Sequence, residues 1–160
     1  MHKYLYPYFM KKIKPGNWKP FLFSVALIFS LMTLANPAPN ICGIWLSKSG
    51  DYKVEIYKNG NTYEGKLLWL KKGHDANGNP LLDKDNPDPN LRSRPLVGMK
   101  VLWNARYNSE TGTFDDGTAY KNGHTFCGKM KLNHDGTLKV TGYICALRFL
   151  KKSDTLIRIN

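Results

Sequence analysis

The stretch HTFCGKMKLNHDGTLKVTGYIC, from His124 to Cys145, has the pattern of a β-hairpin. Apolar and polar residues alternate on both sides of the triplet His134-Asp135-Gly136, and this period of two indicates half-buried strands. A three-residue loop that ends in glycine pairs Asn133 with Thr137. The resulting register predicts four facing pairs on the inner side: Phe126 with Ile144, Gly128 with Gly142, Met130 with Val140, and Leu132 with Leu138.

A second hairpin is predicted from YKVEIYK (Tyr52 to Lys58) and TYEGKLLWL (Thr62 to Leu70). Asn59-Gly60 lies between them and is the strongest short hairpin signal, because both residues tolerate positive φ. A turn centred on these two residues pairs Lys58 with Asn61. The facing pairs would then be Ile56 with Tyr63, Val54 with Gly65, Tyr52 with Leu67 and, on the outer side, Glu55 with Glu64.

Further strands are predicted elsewhere in the chain, and no segment has a sustained helical period. About eight strands with tight turns favour a single small antiparallel barrel, because closure removes exposed edges. An open β-sandwich is the alternative. We expect Trp69, Trp103, Tyr52, Tyr63 and Phe126 to face inward, either as core or as the lining of a ligand cavity. The further strands are Gly43–Ser47, Leu96–Asn104, Gly117–Lys121 and Thr155–Ile159.

The first 35 residues have the pattern of a secretory signal. A basic region precedes the apolar run FLFSVALIFSLMTLA (Phe21 to Ala35), and small residues stand at Thr33 and Ala35. We predict a signal peptide over residues 1–35 and one domain over 36–160, exported to the periplasm or secreted; the true start is Met1 or Met10. An uncleaved membrane anchor is the alternative, although the run is shorter than the roughly 20 residues of a bilayer span.

The chain has 160 residues and a net charge of +12. Cleavage after Ala35 would remove five lysines and no acidic residue, which leaves +7. The charge is spread along the strands and no nucleic-acid motif is present, so we expect no nucleic-acid partner. Anionic envelope polymers or lipid head groups are compatible with a basic exported protein. We expect a monomer with no stable membrane span after cleavage.

Three cysteines, Cys42, Cys127 and Cys145, would meet oxidising conditions after export, so one disulfide and one free thiol are expected. Cys127 and Cys145 share the outer face of the first hairpin but lie diagonally. Diagonal strand neighbours are about 7 Å apart or more, near the limit for a disulfide, so a bulge is needed. We predict this pair; a bond from Cys42 to either partner and three free thiols stay as alternatives.

The two ends of the pattern carry a further signal. Gly43-Ile44-Trp45 begins the first strand and Arg158 lies in the last, and these strands are neighbours in a closed barrel. A guanidinium over the indole would close one end and contribute about 1–2 kcal/mol when desolvated. This looks like the GxW and arginine signature of lipocalin-like (calycin) barrels.

A long charged connection, from about Lys72 to Pro95, precedes the third long strand. It contains DKDNPDPNLRSRPLVGM (Asp83 to Met99). This run, together with the GIW start, DGTAYKNGHTFCGKMKL (Asp116 to Leu132), LKVTGY and the terminal IRI, resembles an exported bacterial family known as domain of unknown function 2147. The resemblance implies a fold and an exported location but no activity. The chain departs from the family pattern at Leu156 and at Lys121-Asn122.

The charged connection holds the candidate ligand-binding residues. Its prolines favour extended backbone, and its acidic and amide side chains can bond nearby N–H groups. Its arginines can grip carboxylates with two donors. The loop is therefore either self-satisfied and closing one mouth of the barrel, or a rim that keeps an arginine for an anionic ligand. The candidates are Asp83, Asp85, Asn86, Asp88, Arg92 and Arg94.

No cofactor, metal or catalytic residue is predicted. Asp75, Asn77 and Asn79 resemble the start of a calcium loop, but Pro80 replaces the required glycine. No hydrolase or metalloprotease motif is present, and an enzyme using the Asp-rich loop with a histidine is the least favoured reading. We expect a small apolar or anionic ligand at a barrel mouth. The alternative is a structural or partner-binding envelope protein with a filled barrel.

Overall fold

The computed structural model describes residues 37–159; the predicted signal peptide, residues 1–35, lies outside them. Each strand pairs antiparallel with the next one in the chain, and the last strand pairs with the first, which closes a barrel. The prediction of an all-β barrel of about eight strands is confirmed. The elements are β1 (Gly43–Ser47), β2 (Tyr52–Asn59), β3 (Thr62–Leu70), a 3-10 turn (Pro89–Leu91), β4 (Lys100–Asn108), β5 (Thr113–Lys121), β6 (His124–Leu132), β7 (Leu138–Ile144) and β8 (Leu147–Arg158).

The barrel has two different ends. The β2–β3, β4–β5 and β6–β7 turns lie at one end, called the closed end below, together with the start of β1. The other end, called the open end, carries the long β3–β4 connection and the β5–β6 and β7–β8 turns. This assignment follows from the antiparallel order of the strands.

The predicted register of the β6–β7 hairpin is confirmed over most of its length. Gly128 pairs with Gly142, Met130 with Val140, and Leu132 with Leu138. The Asn133 N–H donates to the Thr137 carbonyl at 2.8 Å, and Gly136 takes a φ of +79°. Glycine at that position therefore fixes the hairpin, as the loop chemistry predicts.

The predicted register of the β2–β3 hairpin is wrong by two residues. The turn is Gly60-Asn61, so Asn59 pairs with Thr62 and Ile56 faces Gly65 instead of Tyr63. Gly60 takes a φ of +57°, and glycine in the first central position is the preference of a type II′ turn. Because the shift is even, every side chain keeps its face.

The predicted repulsive pair of Glu55 and Glu64 does not form, because Glu55 pairs with Lys66. Glu64 instead accepts hydrogen bonds from Tyr57 at 2.9 Å and Asn59 at 3.1 Å. Its carboxylate is also 2.8 Å from the ammonium of Lys100. The corrected register thus gives the acidic side chain three partners on the outer face.

Simple alternation predicts that Trp69 and Trp103 face inward, and this prediction is wrong: both lie on the outer face. A bulge in β3 sets Trp69 opposite Lys53 on the outer face, where the lysine ammonium lies 5.3 Å from the indole centroid. Trp103 pairs with Thr118 beside the inward Leu102. Asn104, the next residue, has a φ of 63°, which interrupts the alternation of the strand. The side chains of Trp103 and Asn104 therefore both point outward, between the inward Leu102 and Ala105.

Three predicted strand bounds are also corrected. The strand expected at Leu96–Asn104 is Lys100–Asn108, because Gly98 has a φ of +97° and breaks the extended chain. The strand expected at Gly117–Lys121 begins earlier, at Thr113. The last strand begins at Leu147 instead of Thr155, since Cys145-Ala146 forms a tight turn without a turn-favouring residue.

The barrel interior is filled toward the closed end. Its buried side chains come from every strand, and Tyr63 packs edge-on against Phe114 with 4.7 Å between the ring centroids. Buried side chains therefore occupy the interior of this half. The buried cluster comprises Ile41, Trp45, Val54, Ile56, Tyr63, Leu102, Ala105, Phe114, Met130, Leu138 and Leu156.

Trp45 and Arg158 close the barrel at this end. They pair directly in the β1–β8 ladder, and the guanidinium carbon lies 4.4 Å from the indole centroid. The indole is fully buried and donates to the Ile41 carbonyl at 2.9 Å. Arg158 also donates to the carbonyls of Cys42 at 2.5 Å and Asn40 at 2.6 Å, which ties the segment before β1 to β8.

We expect the substitution Arg158→Ala to lower the free energy of unfolding by about 2–3 kcal/mol. It removes one cation–π contact and two hydrogen bonds to carbonyls. Urea unfolding measures the change, and Arg148→Ala, at an exposed arginine far from the closure, is the control. A change of less than about 0.5 kcal/mol for Arg158→Ala, the range of ordinary surface substitutions, would contradict this role.

Candidate functional site

The interior face of β6, β7 and β8 changes from buried to exposed toward the open end. On β6, Met130 is 1% exposed whereas Phe126, four residues nearer the open end, is half-buried. On β7, Leu138 is fully buried and Ile144 is 45% exposed. Residues separated by an even number along a strand share a face, so Phe126 and Ile144 lie on the same interior face as Met130 and Leu138. Their exposure shows that solvent reaches the interior side of this wall.

Glycines line this wall where the filled and open halves meet. Gly117, Gly128 and Gly142 pair side by side across β5, β6 and β7, on the same face as Met130. A Cβ on Gly142 would have one neighbour within 4 Å, the Cβ of Phe126 at 4.0 Å, and a Cβ on Gly128 would meet backbone atoms alone. Gly117 is covered by the side chains of Ala105 and Leu102, and both Gly117 and Gly128 are buried. The wall is therefore open to a close approach at Gly142.

One polar pair faces the same space. The Tyr52 hydroxyl of β2 donates to the Asp154 carboxylate of β8 at 2.7 Å. Both residues are half-buried and alternate with interior residues, Val54 on β2 and Leu156 on β8. Burial, followed by the hydrogen bond to the carboxylate and its charge, raises the pKa of the Tyr52 phenol. The tyrosine stays protonated and acts as a fixed donor.

These features describe a candidate binding site at the open end of the barrel. Gly142 leaves part of one wall without a side chain, Phe126 supplies an aromatic surface, and Tyr52 with Asp154 supplies one polar point. Lys152 pairs with Gly142 on the same face. Ligand sites are mostly apolar with a few placed polar groups, and this arrangement matches that composition. Asp154 was not singled out in the sequence, although its position two residues before the inward Leu156 identifies it as interior.

The charged loop is organised around Asp83, which is 2% exposed. Arg94 donates to one carboxylate oxygen through Nε at 3.0 Å and Nη2 at 2.9 Å. Tyr120 of β5 donates to the other oxygen at 2.6 Å. Asn86, also buried, donates to Asp83 at 2.7 Å. The loop and β5 are thereby joined through a single carboxylate.

Burial by itself disfavours the charged form of Asp83. Hydrogen bonds from Tyr120, Asn86 and Arg94, together with the charge of Arg94, outweigh it and hold the pKa of this carboxyl below its ordinary value. Burial and the hydrogen bond to Asp83 raise the pKa of Tyr120. The aspartate is an anchored anion with its partners inside the protein.

The remaining candidate residues of the loop divide into structural and exposed groups. Asp88 caps the 3-10 turn by accepting from the Asn90 N–H at 2.9 Å. Arg92 donates through Nε to the Asn86 carbonyl at 2.7 Å, and its terminal nitrogens have no partner among residues 37–159. Asp85 is exposed and its side chain has none either within the described chain. The structure thus joins Asp83, Asn86 and Arg94 in one network, attaches Arg92 to it through the Asn86 carbonyl, and leaves the side chain of Asp85 outside it.

The loop is fastened to the outer side of the barrel wall. Ala119 pairs with the inward Leu102, so the next residue, Tyr120, points outward. A Cβ on Gly123, in the β5–β6 turn, would overlap the backbone oxygen of Asp85, and Gly123 has a φ of +76°. Glycine is required there on both grounds. Tyr120 and Gly123 are partners that the sequence reasoning missed, since both lie far along the chain from the loop.

We expect Asp83→Asn to lower the free energy of unfolding by about 2–3 kcal/mol, because Arg94 and Tyr120 lose a charged acceptor. Since folding lowers the pKa of Asp83, its stabilisation is full above the unfolded value of about 4 and is lost as pH falls through the lower folded value. Urea unfolding at pH 7 and at pH 2–3 measures both effects.

Asp85→Asn is the matched control, two residues away and exposed. It should change the free energy of unfolding by less than about 0.5 kcal/mol. Equal effects of the two substitutions at pH 7, or a difference that persists at the lowest pH, would contradict the anchoring role of Asp83.

Cys127 and Cys145 form a disulfide, with Cα atoms 5.0 Å apart. Cys127 pairs with Tyr143 within the β6–β7 ladder, and Cys145 lies in the β7–β8 turn, where the strand pleat has ended. This irregularity brings the diagonal residues within reach. Cys42 is the free cysteine of the described chain.

Removing the disulfide by Cys127→Ser and Cys145→Ser should lower the free energy of unfolding by up to about 3 kcal/mol. This is the chain-entropy value for a loop of the observed separation of 18 residues. Chemical denaturation of the double variant measures it, with Cys42→Ser as the control. A loss no larger than that of Cys42→Ser would contradict a stabilising cross-link.

Other polar groups form no cluster of metal ligands in the part of the chain that the structure describes. The Asp75 carboxylate accepts from the N–H groups of Asn77 and Asn79, each at 2.9 Å, so the calcium-like stretch is a turn. Among residues 37–159, no three metal-ligating side chains come together. No helix in this range is long and apolar enough to cross a membrane.

An up-and-down barrel of eight strands, closed by a tryptophan–arginine pair at one end, defines a lipocalin-like protein. The chain belongs to the bacterial family described as "Uncharacterized protein conserved in bacteria (DUF2147)", whose model matches residues 43–158. The resemblance stated from the sequence is thus confirmed.

One solved structure with the same fold is protein HP1028 from the human pathogen Helicobacter pylori, described as belonging to the lipocalin family. The match has a TM-score of 0.64 at 22% sequence identity and covers 76% of this chain and 84% of that one. At this identity the likeness concerns the fold. No curated protein matches the chain.

Proposed function

We propose that this protein binds one small molecule with an apolar body inside the open half of the barrel. The observation that carries the proposal is the space at Gly142, between the filled half and solvent, where an added Cβ would have one neighbour within 4 Å, the Cβ of Phe126. Barrels of eight strands either fill their interior with side chains or hold one small ligand. In this barrel, large buried side chains fill the interior on the closed-end side of the glycines. On the open-end side the inward positions are half-buried or exposed, which leaves space for a ligand.

The polar contacts of the ligand would come from two places. The Tyr52 hydroxyl and the Asp154 carboxylate lie in the interior. Arg92 of the charged loop is exposed at the same end, with terminal nitrogens unpaired within the described residues, and can receive an anionic group. The network of Asp83, Asn86 and Arg94 would hold this rim in place and contact the ligand indirectly. Asp83 is poorly suited to proton transfer, because three donors already hold its carboxylate.

We further propose that residues 1–35 are a signal peptide and that residues 36–160 act after export as a monomer. The basic, apolar and small-residue order of the segment supports this. Intact mass of protein made with its own N-terminus tests it: loss of residues 1–35 and of two hydrogens is expected. An intact chain of 160 residues would contradict it.

Native mass spectrometry of the recovered protein tests ligand binding. A stoichiometric non-protein mass is the expected result. Titration with saturated fatty acids and with alcohols of the same chain length then separates an apolar from an anionic requirement. A bound ligand at 100 times its Kd should stabilise the fold by about 2.7 kcal/mol.

Gly142→Leu should weaken binding of the best fatty acid at least about ten-fold, because its side chain would occupy the space beside Phe126. Lys139→Leu is the control: it adds the same side chain three residues away on the outer face. Isothermal titration measures both. Unchanged affinity in Gly142→Leu, or a bare protein that binds no chain length, would contradict the proposal and favour a partner-binding role for the filled barrel.

A further inference from the structure

The β7–β8 hairpin ends in a projecting segment from Ile144 to Lys152, called the β7–β8 tip below. Ile144 pairs with Leu147, and the next pair along the ladder joins Tyr143 to Lys151. Arg148, Phe149 and Leu150 therefore have no partner on β7. An extra stretch of this kind re-aims side chains away from the sheet.

The β7–β8 tip carries four large apolar side chains that are exposed. Phe149 is 75% exposed, Leu150 50%, Ile144 45% and Leu147 41%. Phe149 is the most exposed of the large apolar side chains in the described residues. Apolar groups gathered at one place on a surface mark interaction sites, whereas single exposed ones need no explanation.

Positive charges lie among these apolar groups. Arg148, Lys151 and Lys152 are all exposed, and the sequence has no acidic residue from Tyr143 to Ser153. Within residues 37–159, no ion pair involves them. The tip thus presents cations with no countercharge beside aromatic and aliphatic side chains.

The tip is also held in place. Its turn residue Cys145 is bonded to Cys127 of β6, so the base of the projecting segment is cross-linked to the barrel wall. A pre-positioned apolar surface loses less conformational entropy on binding than a mobile one. The cross-link therefore reduces the entropy cost of binding through the tip.

We propose that the β7–β8 tip docks on an anionic phospholipid surface. Phe149 and Leu150 enter the boundary between head groups and acyl chains, and Arg148 and Lys151 contact lipid phosphates. Lys152 pairs with Gly142 and lies on the interior face. A second copy of the chain fits less well, because a symmetric contact would bring the same cations face to face. The site lies at the open end, but the proposal does not depend on ligand binding in the barrel.

Vesicle co-sedimentation of protein made from the full chain, with its intact mass recorded, tests this. At low salt the protein should bind vesicles of phosphatidylglycerol and phosphatidylcholine at least about ten-fold more tightly than pure phosphatidylcholine. The double variant Phe149→Ser/Leu150→Ser and the double variant Arg148→Glu/Lys151→Glu should each lose at least about ten-fold in affinity.

Two matched controls carry the same changes elsewhere. Lys131→Glu/Lys139→Glu alters the net charge equally on the outer face of β6 and β7, and Ile157→Ser/Ile159→Ser removes exposed apolar groups near the closed end. Both should bind like the unsubstituted chain, and circular dichroism verifies folding of all four. Every protein shares the same N-terminal segment, so that segment cannot produce a difference between them.

Three results would overturn the proposal. The first is no binding to anionic vesicles, and the second is equal binding by the tip variants and the unsubstituted chain. The third is an equal loss of vesicle affinity in the charge control Lys131→Glu/Lys139→Glu, which would indicate that any reduction of the net positive charge weakens binding to anionic vesicles. If instead Phe149→Ser/Leu150→Ser abolishes a concentration-dependent dimer and leaves vesicle binding intact, the occupant is a second copy and the lipid assignment is wrong.

Discussion

The contact between Arg158 and Trp45 joins the last strand to the first, and the barrel depends on it. The β1–β8 ladder contains three residue pairs, as few as the β3–β4 ladder and fewer than the other ladders of the barrel. Arg158 strengthens this short ladder through its position over the indole and its bonds to the carbonyls before β1. Without closure, β1 and β8 would be exposed edges, which are prone to pair with other chains.

Closure at one end determines which part of the barrel interior can hold a ligand. The buried indole and the residues around Phe114 fill the interior as far as the glycines of β5, β6 and β7. Beyond those glycines the inward positions are half-buried or exposed. The same wall is therefore core at one end and accessible surface at the other, and the change occurs within a few residues of each strand. The open end also bears the β7–β8 tip, which we propose docks on a lipid surface.

The sequence predicts local features of the fold well and long-range features poorly. The β6–β7 register follows from loop chemistry alone, because glycine last in a three-residue loop has one favoured geometry. The β2–β3 register does not, because Gly60 serves either as the second turn residue or as the first. Trp69 and Trp103 turn outward at irregularities that alternation does not reveal. The partners of Asp83 and Asp154 depend on strands far along the chain, so the sequence marks these groups as polar without showing what they contact.

The division of the barrel into a filled and an open half is tested most directly by a crystal structure of the protein recovered from cells that export it. We predict electron density for a non-protein molecule beside Phe126 and Gly142, reaching toward Tyr52 and Asp154. We also predict an unoccupied, close-packed interior around Trp45 and Phe114. Side chains of the chain itself packed over Gly142, with no space for a ligand, would contradict the account.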